Sequence, residues 1–576
     1  MSAVHEFRSP LSLPQIPDDL TIPQFLLEYK HSLMPARPHN APWLIEDHSG
    51  RGILTEELRE RTYKLANALN TRWNIGENDV VCIFSPNNVD YPVSIWAIHS
   101  LGAVVTPANP SYTADELVYQ LEISRARLIF THSDFLETAL AAAQKAGISQ
   151  DNVIVIPGNA TGKKTAEAVT VDSLVSSAKS TSFKHCRLRP GQAKTKLAFL
   201  SFSSGTTGKP KAVAIPHYSV ISNVIQKAVH YKIGNPSAEK IFLPGDVSLG
   251  VLPFFHIYGL IVTMHFMLFC GVSIVVIPKF NLVEFLKSIV RHKIMHLSVV
   301  PPQVVLLCKH PAVKDYDLTH VKYIMSGAAP LSGELIPQLQ QLCPKASIGQ
   351  GYGMTETATT ISMFPPEQKI GTLGSAGVLI PGIKARVVKA DGSLAKEGEQ
   401  GELVVTGPSM ALGYLNNEAA TKETFINGWV RTGDEVIVKN QEVYVVDRLK
   451  EIIKASCGNL ELSELEGHLL LHPAVNDVCV VGIPDDYSGE VPMAFVVVDP
   501  KLKPIVDGNL EEAEKLKRIV TKHVSDSKIQ YKWLAGGVEF IDAIPKNPSG
   551  KILRRVLRDT VKGRKQNSWS AVRTKL

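Results

Sequence analysis

The sequence predicts an α/β fold with parallel-rich sheets, and two observations carry this prediction. Short apolar runs recur from the N-terminus to about residue 446, for example DVVCIFS (79–85), KLAFLSF (196–202) and HLSVVPP (296–302). Amphipathic stretches such as TEELRERTYKLANALNTR lie between them. Strands that alternate with helices form βαβ units, so we expect sheets with helices on both faces. Ligands of such sheets bind at the carboxyl ends of the strands, so functional residues should lie in the loops there.

The pattern changes twice in the C-terminal part of the chain. From about 382 to 446, short segments such as GELVVTG and EVYVVD predict a small β-barrel-like or meandering subdomain. After Asp447, the helical pattern SELEGHLLLHP and the apolar runs VNDVCVVGI and MAFVVVD predict a small α+β domain. We therefore divide the chain into an N-terminal domain (1–446), a connector (447–450), a C-terminal domain (451–561) and a basic tail (562–576). The polar stretch 159–190 is expected to be a surface insertion.

Composition excludes several classes of protein. With 576 residues, 44% of them hydrophobic and 20% charged, the chain is typical of a globular protein of about three to five subdomains. A net charge of +6 is small for this length, so we expect no nucleic-acid partner. The seven cysteines are scattered without CxxC spacing, which argues against a zinc site or a disulfide framework. The N-terminus has no apolar core after a basic start, so we expect no secretory signal.

An uncharged stretch between Asp246 and Lys279 raises the alternative of a membrane span. His256 and His265 interrupt this stretch, and prolines and glycines divide it into short pieces. The pieces VSLGVLP and VSIVVIP are β-branched and bounded by turn residues, as buried parallel strands are. We therefore expect two buried strands around an apolar helix, and no membrane span.

A loop of small and hydroxyl residues follows the apolar run KLAFLSF. Backbone N–H groups, hydroxyls and lysines of such a loop wrap phosphate groups well. It is not a Walker loop, because Pro210 follows Gly208-Lys209 where that motif needs Ser or Thr. A polar surface turn is the alternative interpretation. The candidate phosphate ligands are Ser203, Ser204, Gly205, Thr206, Thr207, Gly208, Lys209 and Lys211.

Six segments in order resemble the signatures of the adenylate-forming superfamily, which includes acyl-CoA synthetases, firefly luciferase-like enzymes and adenylation domains. Three of them are SSGTTGKPK (203–211), similar to the phosphate-binding signature, and GAAP (327–330) and GYGMTE (351–356), similar to the adenine-binding and Thr-Glu segments. The others are WVRTGD (429–434), similar to the ribose-binding aspartate motif, DRLK (447–450), similar to the hinge, and PKNPSGK (545–551), similar to the catalytic-lysine loop. The segment FFHIYG (254–259) is most similar to the branch of 4-coumarate and other aryl- or acyl-CoA ligases. The resemblance implies a large AMP-binding domain and a small mobile C-terminal domain that turns about a hinge at Lys450.

The resemblance also assigns roles in binding Mg²⁺-ATP. It implies that Glu356 holds Mg²⁺, for which a carboxylate is a suitable hard ligand, although a carboxylate at a helix start is the simpler interpretation. Lys551 would bridge the acid carboxylate and the α-phosphate, where positive charge must separate two anions. Without the resemblance, Lys551 would be read as a solvated surface lysine. The other implied nucleotide and catalytic residues are Gly327, Ala328, Ala329, Gly351, Tyr352, Gly353, Thr355, Asp434, Arg448 and Lys454.

The carboxylic acid substrate is expected beside the nucleotide. The resemblance places His256 near the substrate carboxylate, although a hydrogen-bonded core histidine is the alternative. Residues 247–262 contain no Asp or Glu to pair with an ammonium group, so an apolar aryl (cinnamate- or phenylacetate-like) or fatty acid is favoured over an amino acid. Ala358-Thr359-Thr360 differs from the coumarate-ligase pattern. The other predicted acid-binding residues are Tyr258, Ser326, Met354, Ala358 and Thr359.

The implied reaction has two steps: the acid and ATP give acyl-AMP and pyrophosphate, and CoA then displaces AMP. Cys457 stands where the family has a glycine beside the thiol path, so transfer to a carrier protein or another acceptor is the alternative. A non-catalytic nucleotide-binding protein is a further alternative, which the retained Lys551, Glu356 and Asp434 argue against. No GxSxG segment supports a serine hydrolase.

The C-terminal tripeptide Thr574-Lys575-Leu576 resembles the Ser-Lys-Leu peroxisomal address. We therefore expect a peroxisomal import receptor as a possible partner and a peroxisomal location, with the cytoplasm as the alternative.

Overall fold

The structure is a computed structural model of the 576-residue chain. It describes residues 5–158, 168–178, 182–203, 210–235, 241–331, 333, 335–448, 453–455, 458–460, 462–485, 489–528, 530–546, 552–554 and 556–561.

The strands follow the predicted alternation. They are Phe7–Arg8 (β1), Leu44–Glu46 (β2), Gly52–Ile53 (β3), Val80–Phe84 (β4), Val104–Ala108 (β5), Ala126–His132 (β6), Val153–Ile156 (β7), Leu197–Ser203 (β8), Lys211–Pro216 (β9), Val247–Gly250 (β10), Ser273–Val276 (β11), His296–Val299 (β12), Tyr323–Ser326 (β13), Ser347–Met354 (β14), Thr359–Met363 (β15), Val378–Leu379 (β16), Lys384–Val388 (β17), Gln400–Thr406 (β18), Phe425–Ile426 (β19), Trp429–Lys439 (β20), Glu442–Arg448 (β21), Ile453–Ala455 (β22), Gly458–Leu460 (β23), Val475–Asp485 (β24), Gly489–Val498 (β25) and Val538–Phe540 (β26).

Helices lie between most of the parallel strands. The α-helices are Thr55–Trp73 (α1), Asp90–Ser100 (α2), Ala114–Ser124 (α3), Leu136–Lys145 (α4), Val171–Ser177 (α5), His217–His230 (α6), Leu282–Arg291 (α7), Pro301–Lys309 (α8), Leu335–Leu342 (α9), Glu418–Thr424 (α10), Leu462–Leu470 (α11), Lys503–Gly508 (α12) and Leu510–Ser525 (α13). A further helix, called the central helix below, is π-helical over Tyr258–Phe266 and α-helical over Met267–Phe269. The short elements are a π-turn at Gln24–Glu28 and 3₁₀ turns at Ser133–Phe135, Gln150–Asn152, Gln192–Lys194, Pro311–Asp315, Thr355–Thr357 and Gln530–Lys532.

Local sequence explains where several helices begin. Thr113 accepts a hydrogen bond from the backbone of Glu116, whose side chain bonds back to Thr113, and this capping box starts α3. Asn281 and Asn509 cap α7 and α13 in a similar way through their side-chain oxygens. Each cap supplies a partner for backbone N–H groups that the first helical turn leaves unbonded.

Two sheets build the N-terminal domain. The first has the order β7-β6-β4-β5-β8-β9 and is parallel except for the β8–β9 hairpin. The second is a long sheet whose strands β14, β13, β12, β10, β11 and β2 pair in parallel. This confirms the α/β class and the parallel-rich sheets.

The long sheet changes from parallel to antiparallel within one strand. The first half of β14, Ser347–Gln350, pairs in parallel with β13, and its second half, Gly351–Met354, pairs antiparallel with β15. The antiparallel part then continues through β16, β21, β20, β18 and β17. The strands of the predicted β-rich subdomain are therefore continuous with the parallel sheet. Ligands of α/β sheets bind outside the carboxyl ends of the parallel strands, and the second half of β14 continues beyond that edge, which directs attention to β14, called the switch strand below.

The uncharged stretch forms the centre of the core. As expected, strands β10 and β11 flank an apolar helix, the central helix, and every residue of its Tyr258–Phe266 segment is buried. A helix that is apolar on all sides must be covered on all sides. Nowhere in the described part of the chain is a helix both long and apolar enough to span a membrane.

The described part of 159–190 differs from the surface insertion that we expected. Helix α5 buries Val171, Leu174 and Val175 in the main core. Its Asp172 accepts a hydrogen bond from Arg61 of α1 at 2.8 Å. The apolar spacing of this short helix was obscured by the polar residues around it.

The C-terminal part has its own sheet and core. Strands β23, β22, β25 and β24 pair in that order, β26 pairs with β25, and α11 and α13 cover the sheet. Lys309 at the end of α8 donates hydrogen bonds to the backbone carbonyls of Leu470 and Val475, the latter at 3.0 Å. This lysine joins the N-terminal domain to the C-terminal part.

Candidate active site

The predicted adenine and ribose segments meet at the switch strand. The hydroxyl of Tyr352 on β14 donates a hydrogen bond to Oδ2 of Asp434 on β20 at 2.6 Å. Asp434 is buried, with 5% of its surface exposed, and its backbone N–H bonds the hydroxyl of Thr432. A carboxylate and an aromatic ring held together in this way can bind a ribose diol and the flat face of a base.

The turn before Asp434 is fixed by a carboxylate on the neighbouring strand. Glu402 on β18 accepts hydrogen bonds from the Nε of Arg431 at 3.0 and 3.2 Å and from the backbone N–H of Gly433 at 3.2 Å. Asp434 lies opposite Arg448 in the β20–β21 register. The backbone therefore places Asp434, predicted to bind ribose, beside Arg448, predicted to contact ribose or phosphate, while the side chain of Arg448 lies outside the described part.

Glu356 is buried and held by a tyrosine. It is 6% exposed, and its Oε1 accepts a hydrogen bond from the hydroxyl of Tyr414 at 2.8 Å. The backbone carbonyl of Glu356 also accepts from the N–H of Ala411 at 2.8 Å. Within the described part of the chain, no residue bonds its second oxygen, Oε2. These contacts orient the carboxylate and leave one oxygen for a cation.

The same tyrosine contacts the end of the predicted phosphate loop. Nζ of Lys211 lies 4.9 Å from the centroid of the Tyr414 ring, a cation–π contact. Lys211 begins β9 and lies opposite Ser203, the last residue of β8. Ser203 and Lys211, which flank the centre of the predicted loop, are therefore paired in the β8–β9 hairpin, while Ser204, Gly205, Thr206, Thr207, Gly208 and Lys209 lie outside the described residues.

The segment after Glu356 has a strained backbone. Ala358 and Thr359 have φ angles of +47° and +95°, and a β-branched residue rarely adopts the second value. A Cβ added at Gly353 would lie 1.6 Å from the carbonyl oxygen of Thr359. Glycine at 353 thus permits the close approach of β14 and β15. Such strain is typical of functional sites, where surrounding contacts hold it in place.

The predicted acid-binding residues border the nucleotide segments. Tyr258 is buried and donates a hydrogen bond from its hydroxyl to the carbonyl of Met325 at 3.0 Å, and burial raises the pKa of this hydroxyl. A Cβ at Gly327 would lie 3.0 Å from the Tyr258 ring and 3.4 Å from the carbonyl oxygen of Gly351. The acid and adenine segments are therefore in contact through Tyr258.

His256 and Ser326 supply polar groups on this side of the site. His256 is half-buried, and its Nδ1 accepts a hydrogen bond from the backbone N–H of Tyr258 at 3.3 Å. In the neutral ring this leaves the proton on Nε2, which makes Nε2 a donor. Ser326 is buried, and in the described part of the chain its hydroxyl has no hydrogen-bond partner.

The remaining predicted residues fall into two groups. Ala328 and Ala329 lie in the loop after β13, and Ala328 has a φ of +70°. Met354 is the last residue of β14, and Thr355 begins the 3₁₀ turn that follows it. Lys450 and Lys551 lie outside the described residues, and Lys454 lies on β22 with its side chain outside them.

The sequence analysis missed three residues that hold the site together. Tyr414 and Glu402 carry no local signature, because the groups that they bond are distant in sequence. Gln350 bonds the backbone N–H of Leu331 through Oε1 at 2.6 Å and so fixes the loop after β13. Its place directly before the segment GYGMTE was the one available clue.

These residues fit ATP. The buried carboxylate of Asp434, the ring of Tyr352 and Gly353, which leaves no room for a Cβ, lie together at the second half of β14. Mg²⁺ fits as an ion bound to one protein carboxylate and completed by phosphate and water oxygens. No cluster of three or more potential metal ligands occurs among the described residues.

Comparison with known proteins identifies the family of the chain. The family model for AMP-binding enzymes matches residues 35–415, and that for the AMP-binding enzyme C-terminal domain matches residues 464–551. The chain belongs to the AMP-binding enzyme family. It is accordingly an enzyme, an AMP-forming acid–thiol ligase, as the sequence analysis predicted.

Two relatives align with almost the whole chain. A 4-coumarate–CoA ligase 2 of Oryza sativa is 35% identical and covers 96% of this chain and 95% of its own. The acyl-CoA ligase AFT1-1 of Alternaria alternata is 34% identical and covers 96% of this chain and 97% of its own.

Solved structures in the AMP-binding family agree in fold. The ATP-bound MatB of Rhodopseudomonas palustris has a TM-score of 0.78 at 25% identity, over 94% of this chain and 99% of its own. The anthranilate CoA ligase AuaEII with anthranoyl-AMP has a TM-score of 0.81 at 22% identity, over 95% and 98% of the two chains.

Proposed function

We propose that this AMP-binding enzyme activates an apolar aryl or fatty acid with Mg²⁺-ATP and transfers the acyl group to CoA. The observation that carries the proposal is the close approach of the Tyr258 ring to Gly327, where an added Cβ would lie 3.0 Å from that ring; this sets an aromatic ring against the adenine segment. Two relatives, a 4-coumarate–CoA ligase and an acyl-CoA ligase, support such an acid by their names.

In the first step, a carboxylate oxygen of the acid attacks the α-phosphorus of ATP, and the bond from that phosphorus to the bridging oxygen breaks. Pyrophosphate leaves with the electron pair. Lys551 is proposed to neutralise the approach of the two anions, and His256 to donate from Nε2 to the acid carboxylate. Tyr352 and Asp434 would hold the nucleoside, and Glu356 would hold Mg²⁺, which supplies positive charge to the phosphates.

In the second step, the CoA sulfur attacks the acyl carbon, a C–S bond forms, and the bond to AMP breaks. The thiol proton goes to solvent. We propose that the C-terminal domain turns about Lys450 between the two steps and that Lys454 serves the second one. Such domain rotation is a known way to present different groups to one site.

The test measures AMP, ADP and acyl-CoA with a panel of aryl and fatty acids, with and without CoA. Acid-dependent AMP together with the mass of an acyl-CoA is the expected result, and ADP as the product would contradict the proposal. AMP without acyl-CoA would favour the alternative acceptor suggested by Cys457. Lys551→Met should abolish acid-dependent exchange of labelled pyrophosphate into ATP.

We also propose that the C-terminal Thr574-Lys575-Leu576 directs the protein to peroxisomes through their import receptor. These residues lie outside the described part of the chain. A fluorescent fusion that retains this C-terminus should co-localise with a peroxisomal marker, and one that lacks the three residues should remain in the cytoplasm. Identical distributions would contradict the proposal.

A further inference from the structure

A lysine on α6 is buried in the core of the N-terminal domain. Lys227 is 0% exposed, and in the described part of the chain its Nζ has no hydrogen-bond partner. Its Nζ lies 4.9 Å from the centroid of the Phe266 ring on the central helix. An ammonium group without a hydrogen-bond partner is costly in such surroundings, so a methionine or leucine would fill this place better.

The groups around Lys227 do not compensate its charge. Burial lowers the pKa of Lys227 to about 7, and the nearby Cys270 thiol, whose own pKa is raised by burial, opposes this shift without cancelling it. His265 is engaged by the indole of Trp96 and by the carbonyl of Leu260. Arg37, the other cation that acts on Cys270, donates to backbone carbonyls. Among the described residues, no carboxylate forms a hydrogen bond or an ion pair with this amine.

Lys227 lies on the face of α6 that points toward the acid-binding residues. Asn223, one turn before it, donates from Nδ2 to the carbonyl of Thr360 at 3.0 Å, directly after the predicted acid-binding Thr359. Tyr231, one turn after it, pairs its hydroxyl with that of Tyr323 on β13. Residues four apart share a helix face, so Lys227 lies about 6 Å along α6 from Asn223.

Two other elements run between the predicted acid-binding residues and the surroundings of Lys227. The central helix begins with Tyr258, which borders Gly327, and ends its π-helical part with Phe266 at the amine. Strand β13 ends with Ser326 and begins with Tyr323, whose hydroxyl pairs with that of Tyr231, one turn after Lys227. Lys227 is thus connected to Tyr258 through the central helix and to Ser326 through Tyr231 and β13.

We infer that Lys227 is a specificity-determining residue at the far end of the acyl pocket, and that it binds an oxygen acceptor on an acid with an apolar body. This inference rests on the proposed function. A distal carboxylate should bind best, because it forms a charge-assisted hydrogen bond with the amine. A distal hydroxyl should bind less tightly, and a terminal methyl group should leave the amine unpaired.

The experiment uses the full-length protein and its Lys227→Met variant, which keeps the volume and removes the amine. Hexanoic, octanoic and decanoic acids are compared with their ω-hydroxy and ω-carboxy counterparts, and cinnamic acid with 4-carboxycinnamic acid. AMP release gives kcat and KM for each acid. Lys232→Met, in which a surface lysine paired with Glu367 is replaced, is the matched control.

The wild type should prefer the oxygen-terminated acids. Lys227→Met should lose about tenfold in kcat/KM for them, mostly through KM, and little for the methyl-terminated acids. The variant should also have a higher Tm without ligand. A dicarboxylic acid should raise the Tm of the wild type and of Lys232→Met but not that of Lys227→Met.

Equal preferences and equal ligand-induced Tm shifts in the wild type and Lys227→Met would overturn the inference. If both proteins make AMP from methyl-terminated acids and neither prefers oxygen-terminated acids over them, the proposed function stands and this inference fails. If no acid gives AMP, the proposed function fails, and the Tm shifts with dicarboxylic acids decide this inference separately.

Discussion

Tyr414→Phe tests the arrangement of the site most directly. The change removes one oxygen atom and keeps the ring that Lys211 contacts at 4.9 Å. The lost hydrogen bond is 2.8 Å long, and its acceptor is the carboxylate of Glu356, which is 6% exposed. Hydrogen bonds to charged groups contribute about 1.5–3 kcal/mol, and a buried acceptor left without its donor costs a similar amount.

If Tyr414 orients Glu356 for the bound nucleotide, a loss of about 1.5–3 kcal/mol corresponds to about a 10- to 160-fold fall in kcat/KM for ATP. Acid-dependent pyrophosphate exchange at varied ATP measures this, and thermal unfolding measures the accompanying fall in Tm. Tyr444→Phe is the matched control, since that hydroxyl makes only a 3.3 Å bond to Glu442. Wild-type exchange kinetics and Tm in Tyr414→Phe would refute the role given to this tyrosine.

Three further changes test other parts of the structure. Tyr352→Phe should raise the KM for ATP about tenfold, because Asp434 loses a 2.6 Å hydrogen bond. An unchanged Kd for the nucleotide in a titration of the variant would contradict this expectation. Gly353→Ala should prevent ATP binding or folding, since its Cβ would lie 1.6 Å from the carbonyl oxygen of Thr359; an active, soluble variant speaks against the described backbone. Burial lowers the pKa of His265 from 6.5 to about 4, so on acidification the unfolded chain binds a proton at this histidine before the folded protein does. The free energy of unfolding should therefore fall by about 3 kcal/mol as the pH drops from 6.5 to 4. A stability–pH slope that is unchanged in His265→Gln over this range would contradict that assignment.

Short-range patterns were enough to predict most elements of the fold. The apolar runs DVVCIFS, KLAFLSF and HLSVVPP predicted β4, β8 and β12, because buried parallel strands are continuously apolar. Prolines, glycines and β-branched residues identified β10 and β11 on either side of the central helix and disfavoured a membrane span. The motifs placed Tyr352 and Asp434 in one site through family resemblance.

The remaining features depend on contacts between residues that are distant in sequence. Glu356 and Tyr414 are 58 residues apart, and no local periodicity links them. Lys227 looks from sequence like an ordinary polar residue of an amphipathic helix, and only the three-dimensional packing of α6 reveals its burial. The joining of the antiparallel strands to the parallel sheet likewise required the pairing of β14 with both β13 and β15.

Asp434 lies directly across from Arg448 in the β20–β21 ladder, and Arg448 is the last residue of β21, inside the predicted connector 447–450. The chain therefore leaves the long sheet for the C-terminal domain beside a predicted ribose-binding residue. If Asp434 binds the nucleoside as proposed, we expect the bound ligand to lie next to the point where this connection begins.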